Sequence, residues 1–247
     1  MSDTGRTAAP GGTIRAVVVD DSALMRQLLA ETLGAQEGIA VVGTAADPYA
    51  ARELIRALDP DVVVLDIEMP RMDGLTFLQK IMQLRPMPVV MCSALTAEGS
   101  DAAIRALELG AVDCVAKPRS GDRGAFADFC AELAASVRLA AGVRVQPHRA
   151  ASSPRLTLRR AEGDAIIAIG ASTGGVERIR ELLERLPATA PPIAVVQHMA
   201  PGFLGSFAAR LDRQTPFSVT LARDGLRLLP GSVAIAPGGA HLTVRRD

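Results

Sequence analysis

The sequence lacks an excess of charge of either sign, and it lacks any long apolar run. Basic and acidic side chains number 27 each, so the net charge at neutral pH is close to zero. Balanced charge gives no electrostatic footprint for nucleic acid or for an anionic membrane, and we therefore expect protein partners. No apolar stretch approaches the roughly 20 residues needed to cross a bilayer, and the N-terminus has no signal-peptide core. These absences predict a cytoplasmic protein without direct membrane insertion.

Cysteine is also scarce. The sequence holds 3 cysteines, Cys92, Cys114 and Cys130, which lie far apart in apolar surroundings and form no Cys-x-x-Cys pair. An odd number of widely spaced cysteines argues against a disulfide framework and against a thiolate metal site. We therefore predict buried thiols in a reducing compartment.

The length of 247 residues favours two domains, each large enough to bury its own core. Residues 1–12 are polar and rich in glycine and threonine, which predicts a disordered tail. Residues 142–164 mix proline, serine and arginine without a hydrophobic period, which is typical of a linker, and His148 is expected to be solvated within it. These segments divide the chain into a first domain at 13–141 and a second domain at 165–247.

The first domain alternates short apolar runs with helical patterns. Strict alternation of this kind implies right-handed crossovers and a parallel sheet with helices on both faces, so the predicted fold is a five-stranded, doubly wound α/β domain. The second domain repeats the pattern and predicts another α/β unit with a mainly parallel sheet. In the first domain, the predicted strands cover residues 14–19, 39–44, 62–66, 87–92 and 111–116, and the predicted helices lie near 23–35, 48–58, 74–84, 99–109 and 124–140.

Carboxylates stand at the ends of two of these strands. Asp66 ends the apolar run at 62–66 and is followed by a loop that contains proline and glycine, and Asp20 and Asp21 follow the first strand. Because open α/β sheets bind ligands at the carboxyl ends of their strands, we expect these carboxylates to converge there. Negative charges without compensation repel each other, and Mg²⁺ with oxygen ligands would relieve that repulsion.

A hydroxyl and a cation are expected beside these carboxylates, because Ser93 and Lys117 end two further predicted strands. Lys117 and Mg²⁺ would neutralise an incoming phosphoryl group, Ser93 would hydrogen-bond a phosphate oxygen, and Asp66 would be the nucleophile. The alternative is that Asp20 and Asp21 merely cap the next helix. Capping explains that pair but not the coordinated ends of four strands.

This pattern resembles the receiver domain of two-component response regulators over about residues 13 to 140. Receivers usually place an aromatic side chain three residues before the lysine, and this side chain changes rotamer on phosphorylation. Cys114 stands at that position here, so the resemblance does not tell how the phosphorylation signal leaves this domain. The resemblance implies that Asp66 is the phosphoacceptor and that Ser93 and Lys117 support phosphorylation. It also implies that Mg²⁺ is bound by Asp20, Asp21, Asp66 and the backbone carbonyl of Glu68.

A second chemical site is expected in the second domain. An apolar strand pattern at 165–169 is followed at 170–175 by the sequence Gly-Ala-Ser-Thr-Gly-Gly. Glycines on both sides of Ser172 permit a sharp strand-to-helix turn that exposes the hydroxyl at the N-terminus of a helix running to about Leu186. Backbone N–H groups at such a terminus stabilise an anion, so Ser172 is placed like a nucleophile.

Two other interpretations of this turn are available. A phosphate cradle of the dinucleotide type would require an acidic residue after the next strand, but the run at 192–196 is followed by Gln197 and His198. The other interpretation is a structural turn with a core histidine. Since Ser172 and His198 both follow apolar strands, adjacent parallel strands would bring them together. That pairing favours acyl transfer with His198 as general base.

The motifs together resemble those of the chemotaxis response regulator protein-glutamate methylesterases. The resemblance rests on the receiver pattern, the linker and segments at 169–175, 197–203 and 236–241. It implies that Ser172 attacks the γ-methyl ester of methylated glutamates on chemoreceptors, with His198 as base and the Thr173 backbone N–H in the oxyanion hole. It further implies deamidation of receptor glutamines, and an active site that the receiver covers until the chemotaxis histidine kinase phosphorylates it.

The resemblance also implies a third catalytic residue, an aspartate in a glycine-rich segment further downstream. The sequence ends at Asp247 without such a segment, and neither Asp212 nor Asp224 matches that position. We therefore expect an incomplete gene product or a partial sequence, with an incomplete second sheet. The alternative function is a response regulator that acts as a phospho-dependent binding module or phosphate sink without esterase activity. His241 is expected to be structural.

Overall fold

The structure is a computed structural model that describes residues 12–70, 72–94, 96–118, 123–145, 156 and 165–245. The chain divides into two compact units, Met1–Arg149 and Ala150–Asp247, and each is described by itself. Nearly all of the expected tail and most of the expected linker lie outside the described residues, so the domain limits stay predictions. In the described part of the chain, no helix is long and apolar enough to cross a membrane.

The first unit alternates strands with helices, as the sequence predicts. Its strands are β1 (Ile14–Val19), β2 (Ile39–Ala45), β3 (Val62–Asp66), β4 (Val89–Ala94) and β5 (Asp113–Lys117). Its helices are α1 (Ala23–Gly34), α2 (Pro48–Leu58), α3 (Gly74–Leu84), α4 (Ala97–Glu108) and α5 (Arg123–Ala141).

β4 and β5 begin later than the sequence analysis predicts, and the predicted ends of these strands are wrong. Proline has no N–H group to donate, and β4 begins at Val89, directly after Pro88. Ser93 pairs with Ala116 across the two strands, and Lys117 is the last residue of β5. Both residues therefore lie at the carboxyl ends of their strands, where the sequence predicts them.

The five strands form one parallel sheet in the order β2-β1-β3-β4-β5. Every residue of β3 is buried, which explains its run of three valines, because a central strand of a covered parallel sheet is apolar on both faces. A parallel arrangement puts all carboxyl ends at one edge. The ends of β1, β3, β4 and β5 therefore meet beside each other.

Helices cover both faces of this sheet. Val18 and Cys92 pack in a buried cluster with Leu33 of α1 and Leu133 of α5. Successive strand residues point to opposite faces, and Val17 belongs to the other set, which is also fully buried. The helices beside the other face include α2, which contacts β1 and β2, and α4, which contacts β4 and β5. The predicted doubly wound α/β fold is confirmed.

The second unit is also an α/β unit with parallel strands. Its described elements are β6 (Ile167–Ala171), α6 (Gly175–Arg185), β7 (Ile193–Gln197), α7 (Pro201–Gln214), β8 (Ser218–Leu221) and β9 (Ser232–Ile235). The sheet order is β6-β7-β9-β8, and all three strand pairs are parallel. β6 and β7 end later than predicted, so that Ser172 and His198 directly follow them.

The three cysteines of the first unit are buried free thiols, as predicted. Burial raises the pKa of Cys92 to about 12, because the uncharged thiol is favoured where water is excluded. Burial likewise raises the pKa of Cys114 well above its ordinary value. Both thiols therefore stay protonated at neutral pH.

Candidate active sites

Three carboxylates converge at the carboxyl edge of the first sheet. Asp20 follows β1, Asp66 is the last residue of β3, and these strands are neighbours in the sheet. One oxygen from each of Asp20, Asp21 and Asp66 lies within 4.8 Å of the other two. Asp20 and Asp66 are buried, whereas Asp21 is exposed. The cluster is therefore open to solvent on the side of Asp21.

Lys117 lies between the two buried carboxylates. Its Nζ atom is 2.8 Å from Oδ2 of Asp20 and 2.8 Å from Oδ1 of Asp66. Ser93 is fully buried on β4, the strand between β3 and β5, and its hydroxyl donates to the backbone oxygen of Ala94 at 3.3 Å. The structure thus brings together the carboxylates, the hydroxyl and the cation that the sequence analysis selected.

One lysine cannot neutralise two buried carboxylates and a third beside them. Burial raises the pKa of Asp66 to about 6, although Lys117 acts in the opposite direction, and the nearby charge of Asp20 adds to the rise. Burial alone would lower the pKa of Lys117, but the two carboxylates outweigh it and raise that pKa. The site therefore holds a charged lysine and an excess of negative charge that favours a proton or a cation.

The loops that carry these carboxylates are fixed by short-range hydrogen bonds. The N–H of Ser22 donates to Oδ1 of Asp20 at 2.9 Å, and the hydroxyl of Ser22 accepts from the N–H of Met25. Ser22 is thus the N-cap of α1, so capping does not account for Asp20 or Asp21. Asp20 instead orders the loop through its own carboxylate.

Gly74 permits the close approach of α3 to the end of β3. A Cβ atom at this position would stand 2.0 Å from the backbone oxygen of Asp66, where no side chain fits. The N–H of Gly74 also donates to the backbone oxygen of Ile67 at 2.9 Å. Asp73 caps the helix by accepting from the N–H of Thr76. The Asp-Gly pair therefore fixes the loop beside Asp66.

The cluster has the donor set that Mg²⁺ prefers. Carboxylate oxygens are hard ligands, and Asp21 is exposed on the side from which water molecules would complete the coordination. A divalent cation would also offset the negative charge that Lys117 leaves on the three carboxylates. Asp20, Asp21 and Asp66 therefore fit the ion, whereas the predicted role of the Glu68 carbonyl stays a prediction.

The second site consists of Ser172 and His198. β6 and β7 are neighbours, and Ala171 pairs with Gln197 at their carboxyl ends. The N–H of His198 donates to the backbone oxygen of Ala171 at 2.9 Å, which fixes the two chain segments against each other. The Oγ of Ser172 lies 3.3 Å from Nδ1 of His198, and both residues are exposed. The predicted hydroxyl–imidazole pair is therefore assembled and open to solvent.

The glycine-rich turn leads directly from Ser172 into α6. Gly174 has φ +72°, a left-handed conformation that glycine adopts without strain, and it is the N-cap of α6. Among the residues that the structure describes, no side chain caps this helix end, and Thr173 lies exposed in the turn. The N-terminus of α6 therefore offers backbone N–H groups and a positive dipole end beside the serine hydroxyl.

Other candidate residues of the second unit are not part of this pair. In the described ranges, Ser172 is the hydrogen-bond partner of the His198 ring, and no described carboxylate bonds to it. Asp212 instead accepts from the N–H of Val219 and joins α7 to β8. His241 is exposed in the loop after β9. The sequence analysis missed Gln197, a buried amide whose position at a strand end could have marked it.

Two family models match the chain, one in each of its two units. The family model described as "Response regulator receiver domain" matches residues 16–124, and the model described as "CheB methylesterase" matches residues 167–247. The protein-glutamate methylesterase/protein-glutamine glutaminase of Salmonella typhimurium is 49% identical over 237 residues. The match covers 95% of this chain and 68% of that protein. This chain belongs to the protein-glutamate methylesterase/protein-glutamine glutaminase family.

A further relative from a second organism agrees with this family. The protein of the same name from Shigella boydii is 49% identical over 95% of this chain and 76% of its own length. The solved response regulator domain of Thermotoga maritima CheB is 42% identical, with a TM-score of 0.49, and covers 53% of this chain and 98% of its own. The predicted resemblance is confirmed. Because the relatives are named as enzymes, a binding module without esterase activity is not favoured.

Proposed function

We propose that this protein hydrolyses glutamate γ-methyl esters on chemoreceptors, and deamidates receptor glutamines, as a phosphorylation-activated enzyme of bacterial chemotaxis adaptation. The observation that carries this proposal is the distance of 3.3 Å between Ser172 Oγ and His198 Nδ1, at the ends of neighbouring parallel strands. Its relatives are named for both activities. The proposed partners are the chemotaxis histidine kinase and methylated chemoreceptors, and the proposed place of action is the cytoplasm.

Ester hydrolysis begins with attack by the Ser172 oxygen on the γ-carbonyl carbon of the methylated glutamate. His198 takes the hydroxyl proton as the new C–O bond forms. The carbonyl oxygen becomes an oxyanion, which the Thr173 N–H and the N-terminus of α6 stabilise. His198 then returns the proton to the departing methoxide. The C–O bond to the methyl-bearing oxygen breaks, methanol leaves, and an acyl-serine remains.

Water completes the reaction by the same groups. His198 removes a proton from water as its oxygen attacks the acyl-serine carbon, and the proton passes to Ser172 Oγ when that bond breaks. The receptor glutamate is released as a free carboxylate. Deamidation follows the same course, except that the C–N bond of a glutamine breaks and ammonia leaves in place of methanol.

Asp66 of the first unit is the proposed phosphoacceptor. Its carboxylate attacks the phosphorus of a phosphohistidine, the P–N bond breaks and an acyl phosphate forms. Lys117 holds Asp66 in place before transfer and offsets charge on the phosphoryl group afterwards, and Ser93 donates to a phosphoryl oxygen. Mg²⁺, held by Asp20, Asp21 and Asp66, would supply further positive charge there. The acyl phosphate raises esterase activity and so lowers receptor methylation.

Methanol release from methylated chemoreceptors tests the esterase. We expect the wild-type chain to release methanol, and Ser172→Ala and His198→Gln each to lower the rate by about a hundredfold or more. His241→Gln is the matched control, because His241 is also an exposed histidine of the second unit, and it should leave the rate unchanged. Equal rates from the wild type and Ser172→Ala would remove Ser172 as the nucleophile.

A further inference from the structure

The side chain of Gln197 joins the backbone of the two proposed catalytic residues. Gln197 is the last residue of β7 and is 7% exposed. Its Nε2 atom donates to the backbone oxygen of Ser172 at 2.8 Å and to the backbone oxygen of His198 at 3.0 Å. A primary amide has two N–H groups, so both are used. One buried group therefore holds the nucleophile and the base together.

The partners fix the orientation of this amide. Carbonyl oxygens accept hydrogen bonds and cannot donate them, so the NH₂ group and not Oε1 must face Ser172 and His198. Oε1 then lies on the opposite side, where it has no hydrogen-bond partner within the described part of the chain. A buried acceptor without a partner is unfavourable. The amide therefore keeps one unpaired acceptor and in return makes two hydrogen bonds, both to backbone oxygens of the proposed catalytic pair.

The turn at Ser172 is shaped around the amide. A Cβ atom at Gly175 would stand 2.1 Å from Oε1 of Gln197 and 2.7 Å from the Cβ of Ala171. Only glycine therefore leaves room for the Gln197 side chain beneath the start of α6. The N–H of Gly175 also donates to the Ser172 oxygen at 2.8 Å, so this carbonyl receives two hydrogen bonds. The backbone of the nucleophile is thus held from two directions.

The Ser172–His198 pair depends on such support. The distance of 3.3 Å between Oγ and Nδ1 is long for a hydroxyl–imidazole hydrogen bond, so a small displacement of either backbone would break the contact. Both side chains are exposed, and packing therefore contributes little to their orientation. We propose that Gln197 is a positioning residue, whose amide sets the distance between the Ser172 hydroxyl and the His198 ring. This inference rests on the proposed esterase function.

A double-mutant comparison tests this role without relying on turnover. The full chain contains 3 histidines, so the ring ¹⁵N signals of His198 can be assigned with His148→Gln and His241→Gln. We expect Ser172→Ala to shift the ring ¹⁵N signals of His198 in the wild-type background. In the Gln197→Met background, the shift of the His198 signals caused by Ser172→Ala should be less than about half of that in the wild type. The reason is that Ser172 and His198 lose their coupling when the amide no longer holds their backbones together.

Three further variants separate positioning from general weakening. Gln197→Glu keeps the size of the side chain but turns a carboxylate towards two carbonyl oxygens, so it should weaken the effect of Ser172→Ala on the His198 signals at least as much as Gln197→Met does. Val195→Ala truncates a fully buried side chain of β7 and should leave the effect intact. Gln214→Glu makes the same change at an exposed position of α7 and should also leave it intact. The rate at which a phosphonofluoridate modifies Ser172 should fall about tenfold or more in the Gln197 variants only.

The outcomes distinguish the two proposals. The positioning role would be overturned if Ser172→Ala shifted the His198 signals as much in the Gln197→Met and Gln197→Glu backgrounds as in the wild type. It would also be overturned if Val195→Ala weakened this shift as much as the Gln197 variants do. If the wild type released no methanol while the His198 signals still depended on Gln197, the esterase proposal would fail and the positioning role would stand. If methanol release were normal and the Gln197 variants left the His198 signals unchanged, the positioning role would fail and the esterase proposal would stand.

Discussion

The Nζ atom of Lys117 lies 2.8 Å from Oδ1 of Asp66, in an ion pair whose side chains are 17% and 6% exposed. The same Nζ atom is 2.8 Å from Oδ2 of Asp20, so one cation serves two buried carboxylates. This arrangement leaves negative charge that either a metal ion or a proton offsets.

Replacing Lys117 by Met leaves two buried carboxylates without their cation. Removing one partner of a buried ion pair costs about 3 kcal/mol or more, so we expect a lower free energy of unfolding in urea without metal. Labelling of Asp66 by acetyl phosphate should also fall about tenfold or more. Lys80→Met is the matched control, because Lys80 is exposed on α3, and it should change neither quantity. A Lys117→Met chain that is as stable and as readily labelled as the wild type would contradict the assigned role.

Stabilisation by Mg²⁺ should depend on pH. The pKa of Asp66 is raised from 3.8 to about 6 in the folded state. The protonated carboxyl therefore adds to the free energy of unfolding, and this contribution is fully present below pH 3.8 and is lost as the pH rises through about 6. In the absence of metal, this loss is of the order of 3 kcal/mol. Mg²⁺ binds the ionised carboxylate, and the rise in Tm on adding Mg²⁺ should therefore be larger at about pH 7.5 than at about pH 5.

Asp66→Asn provides the control for this measurement. The amide does not titrate, so the difference between the two pH values should shrink in the variant. The same Mg²⁺-induced change in Tm at both pH values in the wild type would contradict the description of the site.

Gly74→Ala should disrupt the loop beside Asp66. Its Cβ would stand 2.0 Å from the Asp66 backbone oxygen, so the start of α3 must move. We expect a loss of about 1–3 kcal/mol in urea unfolding and a weaker response of Tm to Mg²⁺. At Gly34, the last residue of α1, an added Cβ would meet nothing within 4 Å. Gly34→Ala should therefore be neutral or slightly stabilising, and similar losses in both variants would show that the close contact is unimportant.

The three thiols should resist modification in the native state. Cys92, Cys114 and Cys130 are buried, and burial keeps Cys92 protonated, whereas the thiolate is the reactive form. We expect the reaction with a disulfide reagent such as DTNB to be about a hundredfold slower in buffer than in urea, because it requires opening of the core. Rapid reaction of all thiols in buffer would contradict the packing of the first unit.

Most of the receiver site could be predicted because its residues follow short apolar runs. The valines of β3 mark a central strand, and the residues at the ends of parallel strands meet at one edge whatever the details of packing. The limits of β4 were less predictable, because the apolar run continues through Pro88 and only the missing N–H of proline delays the strand. Ser93 and Lys117 were predicted at the ends of two strands, and they lie at or next to the last residues of β4 and β5, while their roles stay predictions.

The hydroxyl–imidazole pair was predictable for the same reason, whereas its support was not. Ser172 and His198 stand shortly after two apolar runs, whereas Gln197 was considered only because it stands where a dinucleotide site would have an acidic residue. Its role depends on side-chain hydrogen bonds to the backbone oxygens of Ser172 and His198, which no local pattern encodes. The insertion of β9 between β7 and β8 is likewise a matter of tertiary packing, because both β8 and β9 have only 4 residues.

Methanol release with and without a phosphodonor tests most directly whether one chain carries both chemistries. Methylated receptor membranes would be incubated with the wild type, Asp66→Asn and Ser172→Ala, each with Mg²⁺ and with or without acetyl phosphate. We predict that the phosphodonor raises the wild-type rate about tenfold or more, that Asp66→Asn keeps only the unstimulated rate, and that Ser172→Ala releases no methanol in either case. Stimulation that persists in Asp66→Asn, or methanol release that persists in Ser172→Ala, would contradict the proposed function.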